Sequence, residues 1–300
     1  MLNNEIFIFA KKYLSMKDNN FTKDLKNIPF FTYRTNFEKI YPTDLTNDVG
    51  WGCMIRSGQM LMAYCLVKNS ENKNFLSILE KFNNNVKNTY SIHNIVTVAS
   101  FMGVSIGSWF SPTITSLSFE LINNEEDNNS NLTVKVFQDG IIEKDKLKQL
   151  ISNNKVLVLL PIMLGLTEIS NKYMQVLLKL FEFELFSGIV GGKPKSSMYF
   201  IGKNKNKLLC LNPHTVKTHK DEIILEDYIC KNIETLPIEE LDPSMILSFL
   251  LNNEDDIDKM ENYINDNFTK VDFPICFGSK KNIENIEILK KENDWEFITQ

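Results

Sequence analysis

A glycine-rich turn that runs directly into an apolar helix is the sequence feature that most restricts the fold of this chain. Residues 48–60 read Asp-Val-Gly-Trp-Gly-Cys-Met-Ile-Arg-Ser-Gly-Gln-Met. Gly50 and Gly52 give the backbone the freedom that a tight turn needs, and apolar residues then recur at roughly helical spacing. The pattern predicts Cys53 at or just before a helix N-terminus, where exposed N–H groups and the helix dipole favour a thiolate. Since most free cysteines only pack, a nucleophile and a structural cysteine remain equal alternatives here.

Composition excludes several classes of function. The 300 residues are 43% hydrophobic, which is enough for a large core, and the net charge of −5 offers no basic patch for nucleic acid. No N-terminal signal peptide is recognisable, and the longest apolar run, residues 156–166, is too short to span a bilayer. Five scattered cysteines and three histidines favour neither a disulfide framework nor a metal site. The sequence therefore predicts a reduced, cytoplasmic protein with no cofactor or metal and no nucleic-acid partner.

Hydrophobic patterning predicts a mixed chain, with helices dominating the first half and strands with crossing helices the second. Beyond the helix after Cys53, the predicted helices are residues 5–14, 74–86, 91–102, 143–152, 167–183 and 254–265, and Pro112 suits the first turn of one more. The predicted strands are residues 30–37, 133–137, 155–162, 197–203, 207–211, 245–251 and 273–277. The glycine-rich residues 188–194 lack the spacing of a phosphate-binding loop, and we interpret them as a tight turn that leads into the strand 197–203.

A thiolate enzyme needs a base within hydrogen-bonding reach and a third group that orients this base. His214 is the best base, because His93 lies on a predicted helix and His219 lies in a lysine-flanked turn. Asn212 could meet the imidazole from the end of the same strand. An early cysteine on a helix with a late histidine on the sheet resembles the order of papain-like enzymes. A plain strand-ending turn remains the alternative interpretation of residues 212–214.

The chain closely resembles a known family at eight blocks that occur in the family's order between about residues 30 and 252. The blocks are Phe30–Phe37, Gly50–Met60, Ile106–Trp109, Leu164–Thr167, Gly191–Pro194, Tyr199–Gly202, Asn212–Thr215 and Leu241–Ser244. They are similar to those of the autophagins, the autophagy-related cysteine peptidases. This resemblance implies an α/β (α+β) chain with a papain-like cysteine protease fold and a small additional subdomain. We expect the peptidase domain over residues 1–277 and a flexible C-terminal tail over residues 278–300.

The resemblance also implies an activity and site residues. The expected enzyme cleaves a ubiquitin-like autophagy modifier after its C-terminal glycine and releases the same modifier from phosphatidylethanolamine. Its partners would be the precursor and lipid-conjugated forms of the modifier, with a transient encounter with the membrane surface through the lipidated form. By resemblance, Cys53 is the nucleophile and His214 the base. The Tyr33 hydroxyl and the Cys53 N–H form the oxyanion hole, and Trp109 walls a glycine-sized cleft. Packing in the core is the alternative interpretation of Tyr33 and Trp109.

One departure from the family pattern concerns Asn212, where the family has an aspartate. An aspartate-to-asparagine change costs a serine triad about 10⁴ in turnover, yet papain-like enzymes work with asparagine. We therefore predict that Asn212 hydrogen-bonds His214 and that the enzyme is active. The alternatives are a catalytically weakened or inactive modifier-binding protein of the same fold, and a papain-like enzyme that acts on ubiquitin itself.

A second short motif lies at the C-terminus. Trp295-Glu296-Phe297-Ile298 follows two acidic residues, Glu292 and Asp294. An aromatic residue, two further residues and an aliphatic residue fit a motif that binds the modifier by adding a strand to its sheet. We therefore expect Trp295 and Ile298 to anchor a partner-binding motif, although four-residue patterns also arise by chance.

Overall fold

A computed structural model of the protein describes residues 6–70, 75–125 and 131–278. The helices are α1 (Asn19–Lys26), α2 (Cys53–Asn69), α3 (Phe75–Glu80), α4 (Ile92–Phe101), α5 (Pro112–Glu125), α6 (Lys144–Ile151), α7 (Asn171–Leu180) and α8 (Glu254–Asn267). The strands are β1 (Ile6–Ile8), β2 (Lys11–Tyr13), β3 (Tyr33–Thr35), β4 (Leu132–Val136), β5 (Ile141–Glu143), β6 (Lys155–Met163), β7 (Phe186–Lys193), β8 (Ser196–Asn204), β9 (Lys207–Leu211), β10 (Val216–Thr218), β11 (Glu234–Pro237), β12 (Ser244–Leu251) and β13 (Cys276–Gly278). The mixed α/β composition agrees with the fold class expected from the sequence.

A large sheet forms the centre of the molecule. Its strands are arranged in the order β11-β9-β8-β7-β12-β6-β4, and β1 extends it by pairing with the far end of β8. The pair β4–β6 is parallel, while the other neighbours along this path are antiparallel. Two small sheets lie outside it, in which β10 pairs with β3 and β13 pairs with β5. Just after the end of β9, the Pro213 carbonyl accepts a hydrogen bond from the Tyr33 N–H of β3, and the candidate site forms there.

Both faces of the sheet are covered, so its long strands are apolar on both sides. Along β6, Leu157 and Leu159 join one hydrophobic cluster, while Val156, Val158 and Leu160 join the other. The first cluster includes residues of α2, α4 and α5, and the second includes residues of α6, α7 and α8. Because alternate side chains of a strand point to opposite faces, these helices form one layer on each side of the sheet.

Helix α2 is the central helix of the first layer. Nearly every side chain from Cys53 to Leu66 is buried, and the helix packs on β7 and β8. Gly58 lets α5 approach closely, because a Cβ at this position would meet Phe119 and Thr115 at 2.6 and 2.9 Å. The helix that begins at Cys53 is thus held from both sides, which fixes the position of its N-terminus. No helix in residues 6–70, 75–125 and 131–278 is long and apolar enough to cross a membrane.

One predicted helix was wrong, and two others have different bounds from those predicted. In place of the helix predicted over residues 5–14, residues 6–13 form the hairpin β1–β2, because Ile6 and Ile8 gain a partner in β8, which no local pattern reveals. The hairpin turns at Phe9 and Ala10, both with positive φ, in a conformation that sequences usually mark with asparagine or glycine. Helix α7 begins at Asn171 after the N-cap Ser170, later than the predicted residue 167, and α3 ends early at Glu80.

The glycine-rich residues 188–194 are also different from the prediction. They belong mostly to strand β7, in the middle of the sheet, and the tight turn follows at residues 194–195. The glycines are needed because neighbouring backbone is close. A Cβ at Gly188 would overlap the carbonyl oxygen of Phe200, and one at Gly192 would overlap that of Ser196. The glycines thus allow close strand pairing instead of a loop.

Candidate active site

The turn before α2 is anchored by the buried carboxylate of Asp48. Its Oδ1 accepts a hydrogen bond from the Arg34 backbone N–H at 2.7 Å, and its Oδ2 accepts one from Arg56 Nε, also at 2.7 Å. The Asp48 carbonyl oxygen accepts the N–H of Gly52 at 2.9 Å. Gly52 is the N-cap of α2, so Cys53 is its first helical residue, as the sequence predicted. The candidate nucleophile therefore sits on a rigid turn at a helix N-terminus.

Tyr33 reaches the Cys53 thiol from β3. The strand is parallel to β10, with Tyr33 opposite Val216, and the Tyr33 N–H donates to the Pro213 carbonyl at 3.0 Å. The phenol lies beside the Cys53 side chain and the Gly50 backbone. Burial and the neighbouring Cys53 raise the pKa of Tyr33, so its hydroxyl stays protonated and can donate.

His214 lies beside Tyr33 at the end of β9. The two rings are 5.4 Å apart and nearly perpendicular. His214 Nδ1 is 2.5 Å from Asn212 Oδ1, and the His214 backbone N–H donates to the same oxygen at 3.1 Å. The expected Asn212–His214 hydrogen bond is present. The Asn212 amide Nδ2 in turn donates to the Glu234 carboxylate at 2.8 Å. Burial lowers the pKa of His214, and the nearby Glu234 opposes this shift.

The opposite ring nitrogen of His214 faces the start of β8. His214 Nε2 is 3.4 Å from Ser196 Oγ, and Ser196 lines the same cleft as Cys53. Cys53 and His214 are therefore neighbours of two common residues, Tyr33 and Ser196. The imidazole has one nitrogen held by Asn212 and the other directed toward the cleft.

A narrow cleft of about 210 Å³ opens at Cys53. The residues that line it include Trp109, Gly191 and Gly192. Trp109 Nε1 donates to the Gly50 carbonyl at 2.5 Å, which ties this indole to the turn that precedes the cysteine. The indole is 51% exposed, so Trp109 forms the rim of the cleft and is not a core residue.

The other histidines have different surroundings. His93 is 2% exposed and its Nε2 lies 2.7 Å from the Glu38 carbonyl, while His219 lies beside Asn84 and Asp221. All five cysteines are free. Burial raises the pKa of Cys65 and of Cys210 to about 12. Within the described part of the chain no group of three or more His, Cys, Asp and Glu residues could hold a metal ion.

The structure thus brings together five of the residues singled out from the sequence. These are Cys53, Tyr33, His214, Asn212 and Trp109. The remaining two, Trp295 and Ile298, lie outside the described residues. Sequence reasoning missed Ser196 and Glu234, because both reach the site through strand pairing and neither has a local motif.

Comparison with known proteins assigns the chain to a family. The Peptidase C54 catalytic domain matches residues 18–263. The chain belongs to the peptidase C54 family. This result confirms the resemblance to the autophagins and places the chain among cysteine peptidases of papain-like α/β fold.

Three relatives of the peptidase C54 chain illustrate the extent of the similarity. It is 32% identical over 280 residues to the Arabidopsis thaliana protein named cysteine protease ATG4b, covering 79% of this chain and 59% of the relative. It is 33% identical over 238 residues to cysteine protease ATG4 of Candida albicans, covering 76% and 52%. It is 30% identical over 306 residues to cysteine protease ATG4B of Gallus gallus, covering 84% and 77%. The matched part is thus little more than half of the plant and yeast relatives.

Proposed function

We propose that this protein cleaves a ubiquitin-like autophagy modifier after its C-terminal glycine and releases the modifier from phosphatidylethanolamine. The observation that carries the proposal is that Tyr33 lies beside both Cys53, at a helix N-terminus, and His214, a histidine held by Asn212. A thiolate, an oriented base and an oxyanion donor are the parts that acyl transfer requires. The five free cysteines support a reducing, cytosolic location for this activity.

In the first half of the reaction, the Cys53 thiolate attacks the carbonyl carbon of the modifier's terminal glycine. The Tyr33 hydroxyl and the Cys53 backbone N–H stabilise the oxyanion that forms. The His214 imidazolium gives the proton on Nε2 to the departing nitrogen as the carbon–nitrogen bond breaks. This nitrogen belongs to the next residue of the precursor or to phosphatidylethanolamine, so the same step serves both substrates. The product is a thioester between glycine and Cys53.

In the second half, water attacks the thioester carbonyl carbon while His214 accepts a proton from that water. The tetrahedral intermediate collapses, the carbon–sulfur bond breaks, and the glycine carboxylic acid and the Cys53 thiolate are released; the acid then gives its proton to solvent and becomes a carboxylate. One water molecule is consumed per cycle, and the thiolate–imidazolium pair is restored.

The cleft supports a requirement for glycine at the cleavage site. Its volume is about 210 Å³, below the range of ordinary ligand pockets, and its lining includes Trp109 and two glycines, Gly191 and Gly192. A substrate backbone without a side chain fits such a slot. We therefore expect a glycine-to-alanine change at the modifier's cleaved residue to abolish turnover.

The proposal is tested by incubating the full chain with a modifier that has extra residues after its glycine, with the alanine substrate variant, and with ubiquitin bearing the same extension. Cleavage of the first substrate alone is the expected result, and Cys53→Ser removes it. Binding of the modifier without cleavage would favour a non-catalytic modifier-binding protein. Cleavage of ubiquitin at a comparable rate would contradict the proposed substrate. Vesicles carrying the conjugated modifier test the lipid-releasing reaction in the same way.

The C-terminal motif around Trp295 and Ile298 is proposed to hold the modifier at a distance from the cleft. Deleting residues 292–300 should weaken modifier binding and leave the hydrolysis of a short peptide with the modifier's C-terminal sequence unchanged. Equal loss of both activities would contradict a role in partner binding.

A further inference from the structure

Glu234 lies against the histidine–asparagine pair although it is 22 residues away from Asn212 in the sequence. The pairing of β11 with β9 brings it there, because Glu234 is the partner of Cys210, and Asn212 follows two positions later. Positions two residues apart share one face of a strand, so the two side chains are diagonal neighbours on that face. The sheet thus delivers a carboxylate to the side of Asn212 that faces away from His214.

The two contacts of Asn212 determine which end of its amide faces the imidazole. The His214 backbone N–H can only donate, so the atom 3.1 Å from it is the carbonyl Oδ1. The Glu234 carboxylate only accepts, so the atom 2.8 Å from it is the amino group Nδ2. A flipped amide would lose both bonds and place two oxygens against each other. His214 Nδ1 must then carry a hydrogen to bond Oδ1, and Nε2 is the nitrogen that exchanges a proton with the thiol.

We infer that Glu234 is a positioning residue for His214. Its carboxylate holds the Asn212 amide in the orientation that presents an acceptor to Nδ1, and it supplies across that amide the negative charge that an aspartate at position 212 would supply directly. This inference rests on the proposed function, because a thiolate–imidazolium pair is what the charge stabilises. It explains how an asparagine at this position is compatible with activity.

The electrostatic surroundings of His214 agree with this role. Within the described residues, the neighbours of His214 include the ionisable side chains of Tyr33 on β3 and Glu234 on β11 and the neutral hydroxyl of Ser196 on β8. Tyr33 in turn lies beside Cys53 on α2. Burial lowers the pKa of His214, and the Glu234 charge acts in the opposite direction. Of these groups, Glu234 is the carboxylate that favours the imidazolium form. Its removal should therefore make the imidazolium lose its proton at lower pH.

The same geometry predicts how positions 212 and 234 depend on each other. An aspartate at 212 would bring two carboxylates to the 2.8 Å spacing that the amide now bridges. Like charges at this distance disfavour double ionisation, so one carboxyl would take up a proton or the two would separate. Asn212 and Glu234 thus form a matched pair in which neither residue can be replaced without regard to the other.

The charge is tested with the full chain by comparing Glu234→Gln with Glu239→Gln, a control at an exposed glutamate of the same segment. The glutamine keeps an acceptor for Asn212 and removes only the charge. Two rates are measured against pH: alkylation of Cys53 by iodoacetamide, which needs no protein substrate, and cleavage of the extended modifier. Glu234→Gln should lower both rates about two- to fivefold near neutral pH, the range for an exposed charge pair. It should also shift the alkaline limb of the cleavage profile to lower pH, because cleavage needs the imidazolium proton.

Salt provides a readout that a purely structural role would not change. The difference between Glu234→Gln and the unchanged protein should shrink as salt rises from about 0.05 to 1 M, because exposed charges are screened. Identical profiles and salt responses for Glu234→Gln, Glu239→Gln and the unchanged protein would overturn the inference. If alkylation responds as expected but no substrate is cleaved, the inference stands and the proposed function fails. If cleavage occurs and Glu234→Gln has no effect, the proposed function stands and the inference about Glu234 fails.

The dependence between the two positions is tested by combining the substitutions. Glu234→Gln should lower the alkylation rate of Cys53 in the protein that has Asn212. In the variant Asn212→Asp it should raise this rate, because it relieves the repulsion between the two carboxylates. This change of sign is specific to a shared electrostatic site. Urea unfolding midpoints within error of one another establish that the rate differences do not come from unfolding. Independent, additive effects of the two substitutions on alkylation would contradict the matched pair.

Discussion

The ion pair beneath the nucleophile's turn gives the sharpest test of how the fold positions Cys53. The Asp48 carboxylate is 0% exposed and Arg56 is 1% exposed, so both charges are removed from water. In the variant Asp48→Asn the side chain keeps its size, and its oxygen can still accept the Arg34 N–H. Its amino group then faces Arg56 Nε, a donor against a donor, and the guanidinium remains buried without its counter-charge.

Removing one partner of a buried ion pair costs about 3 to 5 kcal/mol, most of it from the uncompensated charge that remains. We expect this loss in the free energy of unfolding of Asp48→Asn, measured by urea titration of the full chain. Arg56 Nη2 already lacks a partner, so the site has no spare acceptor to replace the carboxylate.

A matched control is the exposed pair of Lys39 and Asp44, whose side chains are 65% and 92% exposed. Asp44→Asn makes the same chemical change at the surface, where an ion pair contributes no more than about 1 kcal/mol. If Asp48→Asn and Asp44→Asn lower the free energy of unfolding by the same small amount, the buried pair does not anchor the turn and the reasoning is wrong.

Three further predictions concern packing, pH and the cleft. Gly192→Ala should destabilise the protein by about 3 kcal/mol in urea titrations, because the added Cβ overlaps a neighbouring backbone oxygen. The control Gly103→Ala, at a position with φ of +82° and open space around it, should cost only about 1 kcal/mol. Burial lowers the pKa of His93, so its neutral form is favoured in the folded protein. The stability that neutral His93 contributes is fully present above the unfolded-state pKa of about 6.5 and is lost as pH falls below it. The variant His93→Gln should therefore lose less free energy of unfolding between pH 7 and 5 than the unchanged protein, and an equal loss would refute this assignment. Trp109→Phe loses the hydrogen bond to the Gly50 carbonyl and should lower kcat/KM for the extended modifier severalfold without slowing thiol alkylation; a parallel decrease in alkylation would show that the indole acts on the thiol instead.

The sequence predicted the centre of the sheet well because its strands are buried on both faces. Residues 156–162 are a continuous apolar run, residues 245–251 are apolar except for Ser248, and the structure has β6 and β12 there as an antiparallel pair. The hairpin of β8 and β9 was also placed correctly, since polar residues mark its turn. Strand β1 was mistaken for a helix because its pairing with β8 depends on residues about 200 positions away. Local periodicity contains no information about such a partner.

The residues of the candidate site likewise include some that the sequence identifies and others that only the fold reveals. Cys53, His214, Asn212 and Tyr33 lie in short motifs, so the sequence could identify each one, and the structure adds that they meet. Glu234 has no motif and enters the site only because β11 pairs with β9. The asparagine that departs from the family pattern could be noticed in the sequence, but the carboxylate behind it could be found only from the fold.

The most direct test of the account is the pH dependence of alkylation of each cysteine by iodoacetamide, followed by peptide mapping. Burial raises the pKa of Cys65, Cys210, Cys230 and Cys276, so these thiols should react slowly at neutral pH. Cys53 should be modified selectively at pH 7 and still at pH 6, and the variant His214→Ala should lose this selectivity. Comparable, slow modification of all five cysteines, unchanged by His214→Ala, would contradict the thiolate–imidazolium pair on which the proposed function depends.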